Sequence, residues 1–211
     1  MTSEATRQRD LIVTVGKSIF DRGLTAGSTG NISVRLEDGT MLMTPTNASL
    51  GDLDPARLSH VAADGGHISG DKPTKEAFLH TCMYCERAGD HAVVHLHSTH
   101  AVAVSVLADV DPTDVLPPLT AYYIMRVGSL PLIPYFAPGD AGLALAVKSQ
   151  ANRHHAVLLA NHGPIVSGKG LREAQYAIEE LEETARLHLL LQGRPIRPLT
   201  AEQVEALKAK G

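Results

Sequence analysis

Apolar residues recur along this chain with two periods, which together predict interspersed helices and strands. Leu11, Val15 and Ile19 follow helical spacing, and Gly23 stands where a helix commonly ends. Residues 171–191 carry a longer stripe of the same spacing, with glutamates on the other faces. Further helices are predicted at 75–87, 99–108 and 140–150, and a charged helix or tail from residue 199.

Runs of apolar and β-branched residues predict the strands. Glu37-Asp38-Gly39 and Asp64-Gly65-Gly66 each separate two such runs, as the turns of β-hairpins do. Pro131 and Pro134 place one strand at a sheet edge, because proline cannot donate a ladder hydrogen bond. The predicted strands are 30–36, 40–44, 59–63, 67–69, 91–97, 130–135, 156–160 and 165–167.

The order of these elements predicts the fold class. Pro138-Gly139-Asp140 should start the helix at 140–150 with Asp140 as its N-cap, and the proline-rich segment 111–120 should be a loop. We find no internal repeat, linker or break in composition, so we expect residues 1–211 to form one domain. Because hairpins and helices are interspersed, an α/β fold with a largely antiparallel sheet fits better than a parallel doubly wound sheet.

Composition excludes several functional classes. The 211 residues are 44% hydrophobic and carry a net charge of −4, without the lysine and arginine cluster that a nucleic-acid binder shows. The first ten residues lack the apolar core of a signal peptide, and no apolar run is long enough to span a membrane. We therefore expect a soluble, cytoplasmic protein. The two cysteines, Cys82 and Cys85, fall within a predicted helix and are interpreted as ordinary thiols.

Two histidines at alternate positions are the most informative local feature. His95 and His97 end the apolar run 91–97, and side chains two apart on a strand leave the same face. Buried imidazoles need polar partners, and neutral imidazole is a common zinc ligand. His162 follows another apolar run and is the third candidate ligand. His100 is a weaker candidate, because it should lie in the next helix.

Glu76 stands at the start of the helix predicted at 75–87. Its position favours a capping role, because a carboxylate in the first helical turn interacts well with the helix dipole and Thr74 can cap as well. The alternative is a general acid or base beside the metal. The local sequence favours the capping role, and the two remain open at this level.

Three turns carry groups suited to an anion. Gly27-Ser28-Thr29-Gly30-Asn31 precedes a strand, so it is not a P-loop, yet its small residues let backbone N–H groups approach a phosphate. Thr44-Pro45-Thr46-Asn47 is a second hydroxyl and amide turn, and Thr74-Lys75 lies at a helix N-terminus. Together they would form one phosphate site if the fold brings them together.

The chain resembles the class II aldolases of the fuculose-phosphate aldolase/adducin family. The resemblance extends from about residue 8 to about residue 205. Motifs that occur in the family's order carry it: residues 27–35, Thr44-Pro45-Thr46, Pro73-Thr74-Lys75-Glu76, His95-Leu96-His97 and Asn161-His162-Gly163. Within the family, residues 69–73, 121–128 and 194–197 look most like 3-oxo-tetronate 4-phosphate decarboxylases.

The resemblance implies a three-layer α/β/α fold around a mainly antiparallel sheet, and a homotetramer with sites at subunit boundaries. It implies a zinc ion, with manganese or cobalt as alternatives, held by His95, His97 and His162. Glu76 would be the acid/base carboxylate and would also ligate the metal without substrate. The implied phosphate site consists of Ser28, Gly30, Asn31, Thr46, Asn47, Thr74 and Lys75. Two of its residues depart from the aldolase pattern, which often has glycine in place of Asn47 and serine in place of Lys75.

The function that the resemblance implies is decarboxylation of a 3-oxo-tetronate 4-phosphate to dihydroxyacetone phosphate through a metal-stabilised enediolate. Tyr122, Tyr123 and Arg126 would contact the substrate carboxylate or, as an equal alternative, pack at a subunit boundary. The first rival function is an aldolase or epimerase acting on a sugar phosphate such as fuculose 1-phosphate. The second is a non-catalytic module like that of adducin, which has no need of metal ligands.

Overall fold

The computed structural model describes residues 3–137 and 140–209, which form one eight-stranded sheet covered by helices on both faces. The strands are β1 (Asn31–Arg35), β2 (Met41–Met43), β3 (Ser59–Val61), β4 (His67–Ser69), β5 (Ala92–His95), β6 (Leu132–Ile133), β7 (Ala156–Leu159) and β8 (Gly163–Gly168). The helices are α1 (Glu4–Asp21), α2 (Ala77–Glu86), α3 (Thr99–Ser105), α4 (Ala121–Arg126), α5 (Ala141–Ala151), α6 (Leu171–Leu190) and α7 (Ala201–Lys208), with a 3₁₀ turn at Pro55–Arg57.

The sheet is mainly antiparallel, as the sequence predicts. Its strands lie in the order β4-β3-β2-β1-β5-β8-β7-β6, and both predicted hairpins form. The edge pair β6–β7 is the one parallel pair among the described strands. β5 therefore lies in the middle of the sheet, between β1 and β8.

Two hydrophobic cores separate the three layers. Val94 of β5 packs into the core formed with α1, α3 and α6, whereas its neighbour Val93 packs into the core formed with α2 and α5. The same alternation holds for Leu158 and Val157 on β7. Because both faces are covered, these strands are apolar at nearly every position rather than at every second one. The predicted α/β/α arrangement is confirmed.

Several boundaries differ from the predictions. The strand predicted at 91–97 ends at His95, so His97 lies beyond it, and the helix predicted at 75–87 begins at Ala77. α4 falls in a segment for which no helix is predicted, and the Thr120 hydroxyl caps it by accepting a hydrogen bond from the Tyr123 N–H. Asp140 caps α5 as expected. Pro138 and Gly139 of the same predicted signal lie outside the described residues.

The helices offer no means of crossing a bilayer. Among the described residues, none is both long enough and apolar enough to span a membrane.

Candidate metal centre

Three imidazoles meet at one end of β5. The Nε2 atom of His97 lies 3.2 Å from that of His95 and 3.0 Å from that of His162, and the remaining pair is 3.3 Å apart. A carboxylate oxygen of Glu76 completes a group of four potential ligand atoms that lie within 4.8 Å of one another. The structure thus brings together the four residues that the resemblance assigns to the metal.

Sheet pairing explains how residues 65 positions apart converge. His95 pairs with Ile165 across the β5–β8 ladder, and the Leu96 N–H donates to the Pro164 carbonyl. A Cβ at Gly163 would lie 2.1 Å from the Leu96 carbonyl oxygen, so only glycine allows the two backbones to approach this closely. That approach places His162 directly beside His97.

A hydrogen bond on the side of the ring away from the cluster fixes the orientation of His95. Its Nδ1 lies 2.8 Å from the Pro164 carbonyl oxygen, to which it donates, and the side chain is fully buried. A neutral imidazole that carries its proton on Nδ1 presents the Nε2 lone pair to the cluster. This is the usual arrangement for a histidine ligand of a metal, whose second nitrogen donates to a carbonyl or carboxylate.

Glu76 immediately precedes α2 and does not cap it with its side chain. One carboxylate oxygen lies 3.0 Å from His162 Nε2, and the other lies 3.5 Å from His95 Nε2 and accepts a 2.7 Å hydrogen bond from the Asn31 amide. Thr74 supplies a cap instead, because its hydroxyl accepts from the Glu76 N–H. Of the two alternatives for Glu76, the structure supports the one that places its carboxylate among the histidines.

Burial and charge set the protonation states that a cation needs. Burial lowers the pKa of His95 to about 3, against the opposing effect of Glu76, and burial also lowers the pKa of His97. Burial raises the pKa of Glu76, but the hydrogen bond from His162, the electrostatic interaction with His95 and the hydrogen bond from the Asn31 amide outweigh it and hold that pKa well below its usual value. At neutral pH the His95 and His97 rings are therefore neutral and face an ionised Glu76 carboxylate.

The donor set fits a divalent cation. Two nitrogens bound tetrahedrally to zinc lie about 3.3 Å apart, and the three Nε2 separations here are 3.0–3.3 Å. Unprotonated nitrogens at this distance repel one another unless a proton or a cation lies between them. Three histidines and a carboxylate accept zinc, manganese or cobalt, so the donor atoms indicate a divalent metal site without selecting the element.

A cavity of about 750 Å³ opens next to the cluster. It is lined by Glu76, His97 and His162 together with all seven residues of the predicted phosphate site, which are Ser28, Gly30, Asn31, Thr46, Asn47, Thr74 and Lys75. Tyr135, Phe136 and Asn161 also line it and were not predicted. Tyr135 and Phe136 follow the edge strand β6, and the signal for Asn161 is its position next to His162.

Backbone hydrogen bonds join two of the three predicted turns. The Thr46 N–H donates to the Lys72 carbonyl, and the Thr74 N–H donates to the Thr44 carbonyl. Asn47 adopts a left-handed conformation with φ 59°, which asparagine tolerates better than most residues. Hydroxyl and amide groups far apart in sequence thereby face one space.

Tyr122, Tyr123 and Arg126 lie elsewhere in this chain. Tyr123 is fully buried in the core, so its side chain does not reach the cavity. Tyr122 is 61% exposed, and the Arg126 guanidinium lies over the rings of Tyr122 and Tyr176, at 5.7 and 5.3 Å from their centroids. None of the three lines the cavity that holds Glu76.

The remaining candidates are separate from the cluster as well. His100 lies in α3, and its Nδ1 is 2.8 Å from a carboxylate oxygen of Glu182 on α6. Cys82 and Cys85 are free thiols on α2. His100 thus lies outside the cluster, and the interpretation of the cysteines as ordinary thiols stays a prediction.

Comparison with known proteins identifies the family. A model of the class II aldolase and adducin N-terminal domain matches residues 10–189. The chain belongs to the class II aldolase and adducin family. A 3-oxo-tetronate 4-phosphate decarboxylase of Escherichia coli K12 is 48% identical over 201 residues, which are 95% of each chain. An L-fuculose phosphate aldolase of Haemophilus influenzae is 33% identical, over 89% of this chain and 86% of that one.

A solved structure has the same fold as this chain. A crystal structure of YgbL from Escherichia coli superimposes with a TM-score of 0.95 at 46% identity, and covers 98% of this chain and 100% of that one. The family resemblance and the fold class expected from the motifs are thus both confirmed.

Proposed function

We propose that this protein is a metal-dependent lyase that decarboxylates 3-oxo-tetronate 4-phosphate to dihydroxyacetone phosphate and carbon dioxide. The observation that carries the proposal is the single cavity that joins the histidine–Glu76 cluster to the hydroxyl and amide turns. Relatives named for this reaction, at 46–49% identity over most of the chain, support the choice of substrate. Zinc as the ion, a cytoplasmic location and a homotetramer belong to the same proposal.

The reaction breaks the bond between the carboxylate carbon and the carbon beside the ketone. Carbon dioxide leaves, and the electron pair of that bond moves toward the ketone oxygen. One proton must then bind to the carbon from which carbon dioxide has left. A divalent cation held by His95, His97 and His162 would supply positive charge opposite the oxygen on which negative charge develops. The chain itself must supply the proton donor, the phosphate contacts and the shape of the cavity.

Glu76 is the group suited to handle the proton. Among the described residues that line the cavity it is the only carboxylate, and its oxygens lie beside the histidine cluster. Because Glu76 is ionised in the cluster at neutral pH, it would first take up a proton from solvent and would then pass that proton to the substrate carbon that carbon dioxide has left. Asn31 keeps the carboxylate in place through its amide hydrogen bond.

The three turns would hold the phosphate at the other end of the substrate. Ser28 and Thr46 offer hydroxyl groups, and Thr74-Lys75 lies just before α2, where free backbone N–H groups favour an anion. Lys75 adds the one lysine or arginine charge among the described lining residues. This charge suits a substrate that carries both a phosphate and a carboxylate.

A role in substrate binding requires a neighbouring subunit in the case of Tyr122, Tyr123 and Arg126. The exposed Tyr122 and Arg126 could contact a substrate carboxylate across the subunit boundary that the family resemblance implies. Tyr123 would contribute by packing, since it is buried in its own core.

The deciding experiment compares two substrates with the zinc-loaded protein. We expect 3-oxo-tetronate 4-phosphate to release carbon dioxide and dihydroxyacetone phosphate in equal amounts, and fuculose 1-phosphate to release little aldehyde. Efficient cleavage of fuculose 1-phosphate without decarboxylation would instead identify an aldolase. Absence of bound metal in elemental analysis, together with no turnover of either substrate, would favour the non-catalytic module.

Substitution Lys75→Ser tests the phosphate site, because it installs the residue that aldolases often carry there. We expect KM for the phosphorylated substrate to rise by about tenfold, equivalent to about 1.4 kcal/mol of binding, with kcat nearly unchanged. Lys169→Ser, at an exposed lysine outside the cavity, is the matched control and should leave both constants unchanged. An unchanged KM in Lys75→Ser would remove Lys75 from the phosphate site.

A further inference from the structure

A buried histidine with no role in the mechanism so far lies one helical turn after Glu76. His80 is on α2, is fully buried, and makes two short side-chain contacts. Its Nε2 lies 2.5 Å from the Asn31 amide oxygen, and its Nδ1 lies 2.7 Å from the Ser33 hydroxyl. The Ser33 hydroxyl in turn lies 2.8 Å from the Tyr84 hydroxyl.

These contacts form a continuous path that ends at Glu76. From Tyr84 the path runs through Ser33, His80 and Asn31 to the Glu76 carboxylate, and every separation along it is between 2.5 and 2.8 Å. Ser33, His80 and Tyr84 are buried, so their polar groups bond to one another and not to solvent. Fixed partners of this kind determine which atom donates at each step.

The direction of donation follows from the placement of the Asn31 amide. Its nitrogen lies 2.7 Å from a Glu76 carboxylate oxygen, to which it donates, and its oxygen lies 2.5 Å from His80 Nε2. An amide oxygen only accepts, so the proton of His80 must be on Nε2. The unprotonated Nδ1 then accepts from the Ser33 hydroxyl, and the Ser33 oxygen accepts from the Tyr84 hydroxyl.

The charges of the two ionisable members agree with this direction. Burial lowers the pKa of His80 to about 4, despite the opposing charge of Glu76, so the ring is neutral at pH 7. Burial raises the pKa of Tyr84, so its hydroxyl stays protonated and can donate a hydrogen bond to Ser33. Each donor along the path has one acceptor, and no two acceptors face each other.

We infer that His80 is a positioning residue: its Nε2–H fixes the Asn31 amide, and Asn31 in turn aims the Glu76 carboxylate at the reacting carbon. The inference rests on the proposed function, because it assigns His80 a role through the proposed proton donor. Without the Nε2–H, the Asn31 amide oxygen would lose its buried partner, and the amide would be held only at its NH₂ end. Asn31 would then no longer fix the position of the Glu76 carboxylate.

Two substitutions of similar size and polarity separate this role from simple packing. The amide nitrogen of His80→Gln takes roughly the place of Nε2 and can still donate to Asn31, whereas the shorter amide of His80→Asn reaches only the place of Nδ1. We expect kcat of His80→Gln within about threefold of the parent value and kcat of His80→Asn lower by about 10–100-fold, with KM nearly unchanged in both. Equal kcat values for the two folded variants would overturn the inference.

A second measurement does not depend on turnover or on the folding of any variant. In protein labelled with ¹⁵N-histidine and loaded with zinc, long-range ¹H–¹⁵N correlations distinguish protonated from unprotonated ring nitrogens. We expect the proton of His80 on Nε2 and none on Nδ1 at neutral pH. A proton on Nδ1, or on both nitrogens, would overturn the inference. Because this result is independent of decarboxylation, it separates a failure here from a failure of the proposed function.

Discussion

Glu76→Gln is expected to lower the turnover of 3-oxo-tetronate 4-phosphate by about 10²–10⁴-fold, the usual contribution of a positioned acid or base. Glutamine keeps the shape of the side chain, and its amide oxygen can still accept from Asn31, but it cannot carry the proton that replaces carbon dioxide. Three histidines remain to hold the metal. We therefore expect metal content to stay near the parent value while kcat falls.

The matched control is Glu86→Gln, the same substitution at the last residue of α2, the helix that Glu76 precedes. Glu86 lies 3.5 Å from Lys148 and does not line the cavity. Kinetics at saturating metal, with metal content measured on the same samples, separates loss of the proton donor from loss of the ion. Turnover of Glu76→Gln at the rate of the control would exclude Glu76 from proton transfer.

The predicted fold was most accurate where periodicity was longest. The stripes of α1 and α6 are regular enough to define both helices within a few residues, apart from the polar first turns of α1. The parallel pairing of β6 with β7 was not predictable, since two residues of edge strand carry no signal for the direction of their partner. α4 was missed because six residues among prolines give too short a pattern, although Thr120 is a recognisable N-cap.

The histidines converge as predicted, but the predicted cause of their convergence is partly wrong. Alternation along 91–97 predicts that His95 and His97 share one face of a strand, whereas β5 ends at His95. His97 reaches the cluster because the chain beyond β5 packs against Gly163, a contact between segments more than 60 residues apart. Alternation along a strand could indicate the pair, but only the tertiary fold brings His162 to it.

The sequence could not decide between the two roles of Glu76. A glutamate that precedes a helix normally caps it, and the partner that draws this side chain away, Asn31, is 45 residues distant. His80 and Tyr84, which connect to Glu76 through Asn31, show a weak pattern in the sequence that the predictions do not use. Glu76, His80 and Tyr84 follow one another at intervals of four, and so form a polar stripe along a helix that is otherwise mostly apolar.

Removal of one imidazole is the second substitution for which we expect a large effect. His162 is the best site, because it lies in a turn and its side chain is 27% exposed, so His162→Ala leaves no closed cavity. Replacement of even an outer partner of a metal ligand typically changes metal affinity by about 10–100-fold, so loss of a direct ligand should lower it by more than about 100-fold. Activity should fall in parallel at limiting metal.

His95→Ala should lose metal and activity as well, but with a lower free energy of unfolding, because the ring is fully buried and bonded to Pro164. His67→Ala, on the exposed edge strand β4, is the control that changes a histidine outside the cluster. Metal affinity from competition with a chelator, read beside thermal unfolding, distinguishes the two effects. Turnover at the normal rate by dialysed, metal-free protein would show that the imidazoles do not hold a catalytic ion. The close approach of the three Nε2 atoms would then need another explanation.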